Sequence, residues 1–512
     1  MLFDIGIYGL GTMGSALARN MSGRGYSVAA YSREPSERER MRGFAADVPE
    51  RERMRKPATE VPDERPDARD AGISVYDTLD DLVACLSVPR RVVLMVTAGP
   101  AVDEILADLV PLLSPGDVIL DCGNSWYLDT ARRQETVHRY GLHYLGVGIS
   151  GGERGALEGP SIMAGGDLPG WELCADLLQA CAAETNDDRC CRYLGHDGAG
   201  HYVKMVHNGI EYGMLELIAE AWQLMRDLLH LRTTQTADVF DRWRRGKLAS
   251  FLTDTATVVL HKNDEDGRPL VDRILDVAEQ NGTGLWTVRE GFERGVYIPT
   301  IVEALSMRNH SMRRELRRRV QEATGLNPGS AGQAAISLNP GSTGQTAISL
   351  NPDSAGFSAD ARISEETLCD ALYAGFLLCY SQGLELIYAA SRDFSWDISL
   401  PDVVGCWKAG CIIRADMLSR VEKALPDAFG GNLLLSAAFR PFDEMAALRR
   451  VVAGTATAGL SAPAFFASLS YYDACRAGHM PVNLIQGMRD SFGAHGFRRT
   501  DRDGLFHAEW DK

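Results

Sequence analysis

Between a short β-like run, Phe3-Asp-Ile-Gly-Ile-Tyr8, and a helical run, Ser15–Arg24, stands Gly9-Leu-Gly-Thr-Met-Gly14. Strand, GxGxxG and helix in that order commit a chain to a parallel βαβ start. The glycines permit a tight turn and a close backbone approach, and the helix N-terminus receives a pyrophosphate. The order predicts an α/β Rossmann domain, with Gly9, Leu10, Gly11, Thr12, Met13 and Gly14 lining the dinucleotide. Tyr26–Tyr31 reads as the second strand. An NAD enzyme usually carries an acidic residue at its end for the ribose hydroxyl. Here Ser32-Arg33 stands there, and a guanidinium suits a 2′-phosphate, so NADP is favoured and NAD is not excluded. The neighbouring Glu34 opposes that phosphate.

Residues 35–70 leave the pattern. They are dense in Arg, Glu, Asp and Pro, and Glu-Arg-Glu-Arg-Met-Arg occurs twice, at 37–42 and 50–55. They read as a charged, solvated insertion with at most a helical arm. The doubly wound pattern resumes with the strand Arg91–Val96, the helix Ala101–Leu113 and the strands Val118–Asp121 and His143–Val147. At 512 residues the chain is long enough for two or three domains. A net charge of −16 argues against nucleic acid or an anionic membrane as the main partner. The eleven cysteines carry no zinc-like spacing, so metal ligation is not expected and reduced thiols in a cytoplasmic protein are. No apolar stretch has the length of a membrane span.

The chemistry gathers on one helix. In His201–Tyr212, the side chains Lys204, His207, Asn208, Glu211 and Tyr212 recur at i, i+3, i+4, i+7 and i+8, one helical stripe. A solvated face would usually carry Lys and Glu, not His, Asn and Tyr. Lysine is also scarce, with seven in the whole chain, yet one stands here with a Glu on the same face. Two further segments follow strands. Asp121-Cys-Gly-Asn-Ser125 lies where ligands of α/β sheets collect, and Gly148-Ile-Ser-Gly-Gly-Glu153 offers free N–H groups to an anion.

The runs Ser150-Gly-Gly-Glu-Arg-Gly-Ala156, Gly195–Gly213, Gly410-Cys-Ile-Ile-Arg414, Asn483-Leu-Ile-Gln486 and Arg489-Asp-Ser-Phe-Gly-Ala-His495 then resemble the 6-phosphogluconate dehydrogenase family over nearly the whole length. The resemblance implies a Rossmann domain over 1–200, a large all-helical substrate and dimerisation domain over 201–470, and a C-terminal tail over 471–512 that reaches the partner of a homodimer. Tyr212–Leu231, Leu270–Glu279, Thr300–Gln321, Ser364–Ser391 and Ala415–Ala424 read as the helices of that domain. It further implies NADP-dependent oxidative decarboxylation of a small anionic sugar acid, 6-phosphogluconate. Lys204 is then the general base, Glu211 the acid that protonates the enediol after CO₂ leaves, and Asn208 their companion. Asn124, Ser150, Gly151, Gly152 and His207 are implied to orient the carboxylate and hydroxyls. Tyr212, Thr287, Arg308, Arg489 and His495 are implied to hold the distal phosphate, the last two from the partner. Val96, Thr97, Ala98 and Asn124 join the cofactor residues.

Three departures bear on recognition. Leu285 stands where the family motif Gly-Thr-Gly-Lys-Trp-Thr has Lys, Thr97 replaces another Lys of the cofactor loop, and Glu34 replaces a small hydroxyl residue. They keep two other readings open: a divergent paralogue that oxidises a different 3-hydroxy acid, and a non-catalytic nucleotide-binding dimer. A Gly/Ser/Asn/Pro-rich repeat of twelve residues runs from Leu326 through Leu338 to Leu350 and reads as a surface loop within the helical domain.

Overall fold

The computed structural model describes residues 2–47, 72–185, 188–280, 282–324, 363–439 and 443–510. The repeat at 326–360 and residues 48–70 of the charged segment at 35–70 lie outside them. Eight strands form one sheet: β1 (Ile5–Tyr8), β2 (Val28–Tyr31), β3 (Ile73–Val75), β4 (Arg91–Leu94), β5 (Val118–Asp121), β6 (His143–Ser150), β7 (Ser161–Gly166) and β8 (Cys191–Tyr193). Their order is β3-β2-β1-β4-β5-β6-β7-β8. The pairs from β3 to β6 are parallel, β7 runs antiparallel to β6, and β8 is parallel to β7. Apolar side chains alternate between two helix-covered faces. Val93 joins the core with Ile5, Ile7 and Leu120, whereas Val92 and Leu94 join Tyr8 and Ile119 on the other side. A parallel sheet buried on both faces needs such continuous apolar runs.

The crossover helices are α1 (Thr12–Gly23), α2 (Pro35–Asp47), α3 (Leu79–Ala84), α4 (Pro100–Leu109), α5 (Tyr127–His138), α6 (Gly152–Glu158) and α7 (Leu168–Cys181). Here the structure corrects the charged insertion. Residues 35–47 are α2, a helix of the βαβ framework, with Met41 fully buried in the sheet's core. Its arginines and glutamates hid a crossover helix in which, over residues 35–45, Met41 alone is fully buried.

The second body is helical. Helix α8 (Ala199–Asp227) enters from the sheet; α9 (Thr233–Trp243), α10 (Phe251–His261), α11 (Thr283–Glu293), α12 (Pro299–Ser311), α13 (Arg314–Thr324) and α14 (Glu365–Phe394) follow. Two helix boundaries differ from expectation. Leu270–Glu279 is only a 3₁₀ turn at Leu270–Arg273, pinned where Thr233 Oγ1 donates to Asp272 at 2.9 Å. The single helix expected at Thr300–Gln321 breaks after Ser311, whose hydroxyl turns back to the Arg308 carbonyl at 2.6 Å.

Glycines seat α8 on the sheet. A Cβ on Gly200 would lie 2.5 Å from the Gly146 and Met163 oxygens, and one on Gly148 would lie 2.4 Å from the Lys204 Cβ. On its other side α8 meets α14, where Gly383 gives way to Ile210. The chain ends in a helix, Val482–Gly493, whose Leu484, Ile485, Met488 and Phe492 are about half exposed or more. The final segment folds on one carboxylate. Asp490 accepts hydrogen bonds from the Gly496 N–H (2.8 Å), His507 Nδ1 (2.8 Å), the Ala508 N–H (3.1 Å) and Trp510 Nε1 (2.8 Å). Desolvation raises its pKa, but these donors outweigh it and hold the carboxyl well below the usual range.

Two predictions follow from the packing. Gly148→Ala forces Lys204 and its helix off β6; overpacking of this kind costs about 1–3 kcal/mol, seen as a lowered midpoint in thermal melts. Asp490→Ala leaves four donors without an acceptor and exposes the terminal segment to limited proteolysis at neutral pH. In the wild type, a depressed pKa means this stabilisation is present above the unfolded value and fades as pH falls through the folded one. Proteolysis of the tail should therefore accelerate only in strong acid; a tail equally resistant in the variant contradicts the assignment.

Candidate active site

Helix α8 passes the end of β6, and its first turns are buried on every side from His201 to Ile210. The polar stripe read from the sequence is therefore no surface face but the interior between sheet and helices. Lys204 is 5% exposed and His207 is fully buried. Such groups survive burial only when hydrogen-bonded. Lys204 Nζ donates to Asn208 Oδ1 at 2.8 Å, and His207 Nδ1 lies 3.2 Å from the same oxygen. With two donors on its oxygen, the Asn208 amide has one orientation, and its Nδ2 donates to Thr283 Oγ1 at 3.2 Å. That assigns the His207 proton to Nδ1, leaving Nε2 to accept from the Ser150 hydroxyl at 3.1 Å. Ser150 closes β6, so strand and helix are joined through the histidine.

The environment tunes three ionisable groups. Burial pushes the Lys204 amine below its ordinary pKa, while Glu211 and Cys411 act in the opposite sense. Burial, then the neighbouring Lys204, pushes His207 well below its ordinary value, so the ring is neutral. Burial raises the Glu211 carboxyl against the pull of Lys204 and Arg308. A lysine that can shed its proton and a carboxyl that can keep one, on one face of a helix, are a base and an acid. Arg308 lies with its guanidinium carbon 3.5 Å from the centroid of the Tyr212 ring, a cation–π pair, and also donates to the Glu279 carbonyl at 3.2 Å.

Around this centre, Gly151 and Gly152 have φ of +126° and +62°. A Cβ on Gly151 would sit 2.4 Å from the Gly410 carbonyl, which also accepts the Ser161 N–H at 2.9 Å. The Gly410–Arg414 motif thus backs the turn after β6. The residues expected to bind the cofactor all lie at carboxyl ends of strands, where open α/β sheets bind ligands. Gly9–Gly14 follows β1, Val96–Ala98 follow β4 and the exposed Asn124 follows β5. The glycines fit a dinucleotide in two ways. Gly9 (φ +102°) and Gly14 are demanded by the fold, since a Cβ would come within 2.4 Å of the Met95 oxygen and 1.9 Å of the Gly9 oxygen respectively. Gly11 is not: a Cβ there would meet only Glu37, at 3.5 Å, so its bareness leaves room for something outside the chain.

Some expected residues are elsewhere. Thr287 is fully buried, and its hydroxyl donates to the Met205 and Thr283 carbonyls, at 2.9 and 3.0 Å, fastening α11 to α8. Thr283, one turn earlier, is the threonine that reaches Asn208; only its place at the start of α11 marks it in the sequence. Arg489 and His495 are exposed on the terminal helix and the loop behind it. Arg33 is engaged by Asp108 at 2.8 Å and Glu104 at 3.4 Å, and the Ser32 hydroxyl by Glu37 at 2.6 Å. Glu37 was not singled out from the sequence, where it sat in the charged run. Among the described residues no cluster of His, Cys, Asp and Glu could hold a metal, and no helix is long and apolar enough to cross a membrane.

Comparison with known proteins agrees with this geometry. Residues 4–195 match the NAD binding domain of 6-phosphogluconate dehydrogenase, and residues 200–510 match the 6-phosphogluconate dehydrogenase C-terminal domain. Bacillus subtilis (strain 168) has two similar proteins. Its NADP(+)-dependent decarboxylating 6-phosphogluconate dehydrogenase is 36% identical over 99% of both chains, and its NAD(+)-dependent counterpart 39% identical over 100% of both. A Plasmodium falciparum 6-phosphogluconate dehydrogenase structure, from a study of the apo form and of complexes with NADP+ and 6-phosphogluconate, superposes with a TM-score of 0.85. It is 34% identical and covers 99% of this chain and 100% of its own. By full-length similarity and by both domain matches, this chain belongs to the 6-phosphogluconate dehydrogenase family.

Proposed function

We propose that the chain oxidises and decarboxylates 6-phosphogluconate to ribulose 5-phosphate and CO₂, with NADP as oxidant. The observation that carries this reading is that the buried Lys204, its pKa lowered, and the half-buried Glu211, its pKa raised, share one face of α8. Lys204 in its neutral form takes the proton of the hydroxyl being oxidised. The dinucleotide, when bound, supplies the hydride acceptor. The resulting 3-keto acid loses CO₂ as its carboxylate electrons flow toward the carbonyl and the now protonated Lys204 returns its proton to the keto oxygen, giving an enediol. Glu211 then protonates the enediol carbon while Lys204 takes back the hydroxyl proton, giving the ketone. Asn208 holds Lys204 through its carbonyl oxygen and fixes the lone pair's direction. Ser150, Gly151, Gly152, His207 and Asn124 orient the carboxylate and hydroxyls, and Tyr212 with Arg308 holds the phosphate end.

The same reading makes the protein a homodimer. The exposed apolar residues of Val482–Gly493 make a surface suited to a second copy, and Arg489 and His495 on that tail would complete the partner's phosphate site. Eleven cysteines without disulfide partners suit a reducing compartment, and we assign the chain to the cytoplasm.

A second reading, a different distal group on the sugar acid, is favoured by Leu285. It is 51% exposed in the first turn of α11, two residues from Thr283, and brings no charge to a phosphate. A charge-assisted contact is worth roughly 2–5 kcal/mol when desolvated. On the leading reading Leu285→Lys lowers KM for 6-phosphogluconate about tenfold or more, and the wild type still prefers 6-phosphogluconate to unphosphorylated gluconate. A wild type that prefers gluconate sinks the leading reading.

The proton transfers have their own test. Lys204→Met lowers kcat by about 10²–10⁴-fold, the usual worth of a positioned base. The wild-type kcat/KM profile is a bell, because Lys204 must be neutral and Glu211 protonated. Glu211→Gln removes one requirement, so its residual activity rises with pH through the lowered Lys204 pKa and does not fall again. A bell persisting in Glu211→Gln would assign the second limb to another group.

A further inference from the structure

The cofactor groove carries a carboxylate that neither the glycine motif nor Arg33 announces. Glu37 lies in the first turn of α2, and its Oε2 accepts the Leu10 N–H at 3.3 Å and the Ser32 hydroxyl at 2.6 Å. The side chain thereby bridges the glycine loop and the end of β2, and it is the group nearest to the space left bare at Gly11. In doubly wound folds an acidic residue at the end of the second strand, about twenty residues past the glycines, hydrogen-bonds the ribose 2′-hydroxyl. Here Ser32-Arg33 stand at that end, and Glu37 brings a carboxylate to it from the first turn of α2 through the Ser32 hydroxyl. A 2′-phosphate brought there meets a negative charge held in place by two donors, and like-charge contact is how sites reject a near-identical ligand.

Nearby cations do not reverse this. Arg33 is paired with Glu104 and Asp108 of α4. Arg38 pairs with Asp77 and donates to the Ser32 and Arg33 carbonyls, and Arg40 donates to the Leu10 carbonyl at 2.7 Å. Exposed pairs such as those of Arg33 hold weakly, so Arg33 can turn to a phosphate. It would do so beside both Glu34 and Glu37.

We propose that Glu37 is the specificity-determining residue at the ribose end of the groove, and that it makes NAD an efficient second oxidant for this chain. The inference rests on the dinucleotide reading of the groove and is independent of which sugar acid is oxidised.

The test is binding, without sugar acid present. Full-length protein is titrated separately with NADH and NADPH, following quenching of its tryptophan fluorescence. The wild-type dissociation constants lie within about tenfold of each other. In Glu37→Gln, which keeps the size of the side chain and an oxygen for the Leu10 N–H, the ratio moves toward NADPH by about fivefold or more. Glu37→Asp, which keeps the charge, stays nearer the wild-type ratio than Glu37→Gln does. A smaller shift in a Glu37→Gln protein with native circular dichroism overturns the proposal. So does a wild-type preference for NADPH above about tenfold, which needs no variant. If the binding ratios behave as stated but 6-phosphogluconate is not turned over with either oxidant, the substrate reading fails and the role of Glu37 stands.

Discussion

The contact of α8 with β6 and β7 of the sheet is the constraint from which the rest follows. Gly200 lets the helix backbone reach Gly146, Met163 and Gly165, and Gly148 lets Lys204 lie against β6. Any side chain at these glycines would lift the helix. The helix runs on from there into the helical body, and this contact sets the depth of the lysine. The site is thus a seam, made where a strand end, a helix and the start of α11 meet. The strand end contributes Ser150, α8 contributes Lys204, His207 and Asn208, and α11 contributes Thr283.

Burial at that seam explains the chemistry better than any single residue does. An amine in water holds its proton near pH 10 and is a poor base at neutral pH. Removing water from Lys204 penalises its cation, and the hydrogen bond to Asn208 is compatible with a neutral amine, which still has protons to donate. The same dryness penalises the Glu211 carboxylate and favours the form that can give a proton. One environment therefore moves the two groups in opposite directions on the pH scale, which is what a base and an acid at one pH require. Neutral His207 fits the same logic, since a second cation beside Lys204 would cost far more than a tautomer held between Asn208 and Ser150.

Much of this was legible in the chain. Strand–GxGxxG–helix gave β1 and α1, and the i, i+3, i+4 spacing put Lys204, His207 and Asn208 on one face. What the spacing could not tell was that α8 has no solvent face over that stretch. A polar stripe on a buried helix and one on a surface helix look alike in sequence. Likewise α2 was hidden because a crossover helix with one fully buried apolar residue, Met41, has the composition of a solvated arm. Glu37 went with it. β7 and β8 were missed because Gly165, Gly166 and Arg192 blur the apolar run, although Ser161–Gly166 is wholly buried. The two threonines of α11 differ only by one turn. Which one faces Asn208 depends on the rotation of α11 against Gly209, a packing fact with no local signature.

The positions where the chain departs from its relatives' pattern share a location. Leu285, Thr97 and Glu34 are exposed, whereas Lys204, His207 and Asn208 are buried. Physics treats the two sets differently. A buried hydrogen-bonded network is all-or-none, because removing one member leaves the others desolvated and unpartnered. A charge at the rim is partly solvated, its neighbours can compensate, and its loss is graded. Recognition of the distal group and of the ribose can therefore change one side chain at a time, while the proton-transfer centre cannot. Glu37 occupies the boundary between the regimes. It is half-buried and tied to the glycine loop, so it is rigid enough to discriminate between cofactors, and its hydrogen bonds go to Leu10 and Ser32 whereas that of Lys204 goes to Asn208.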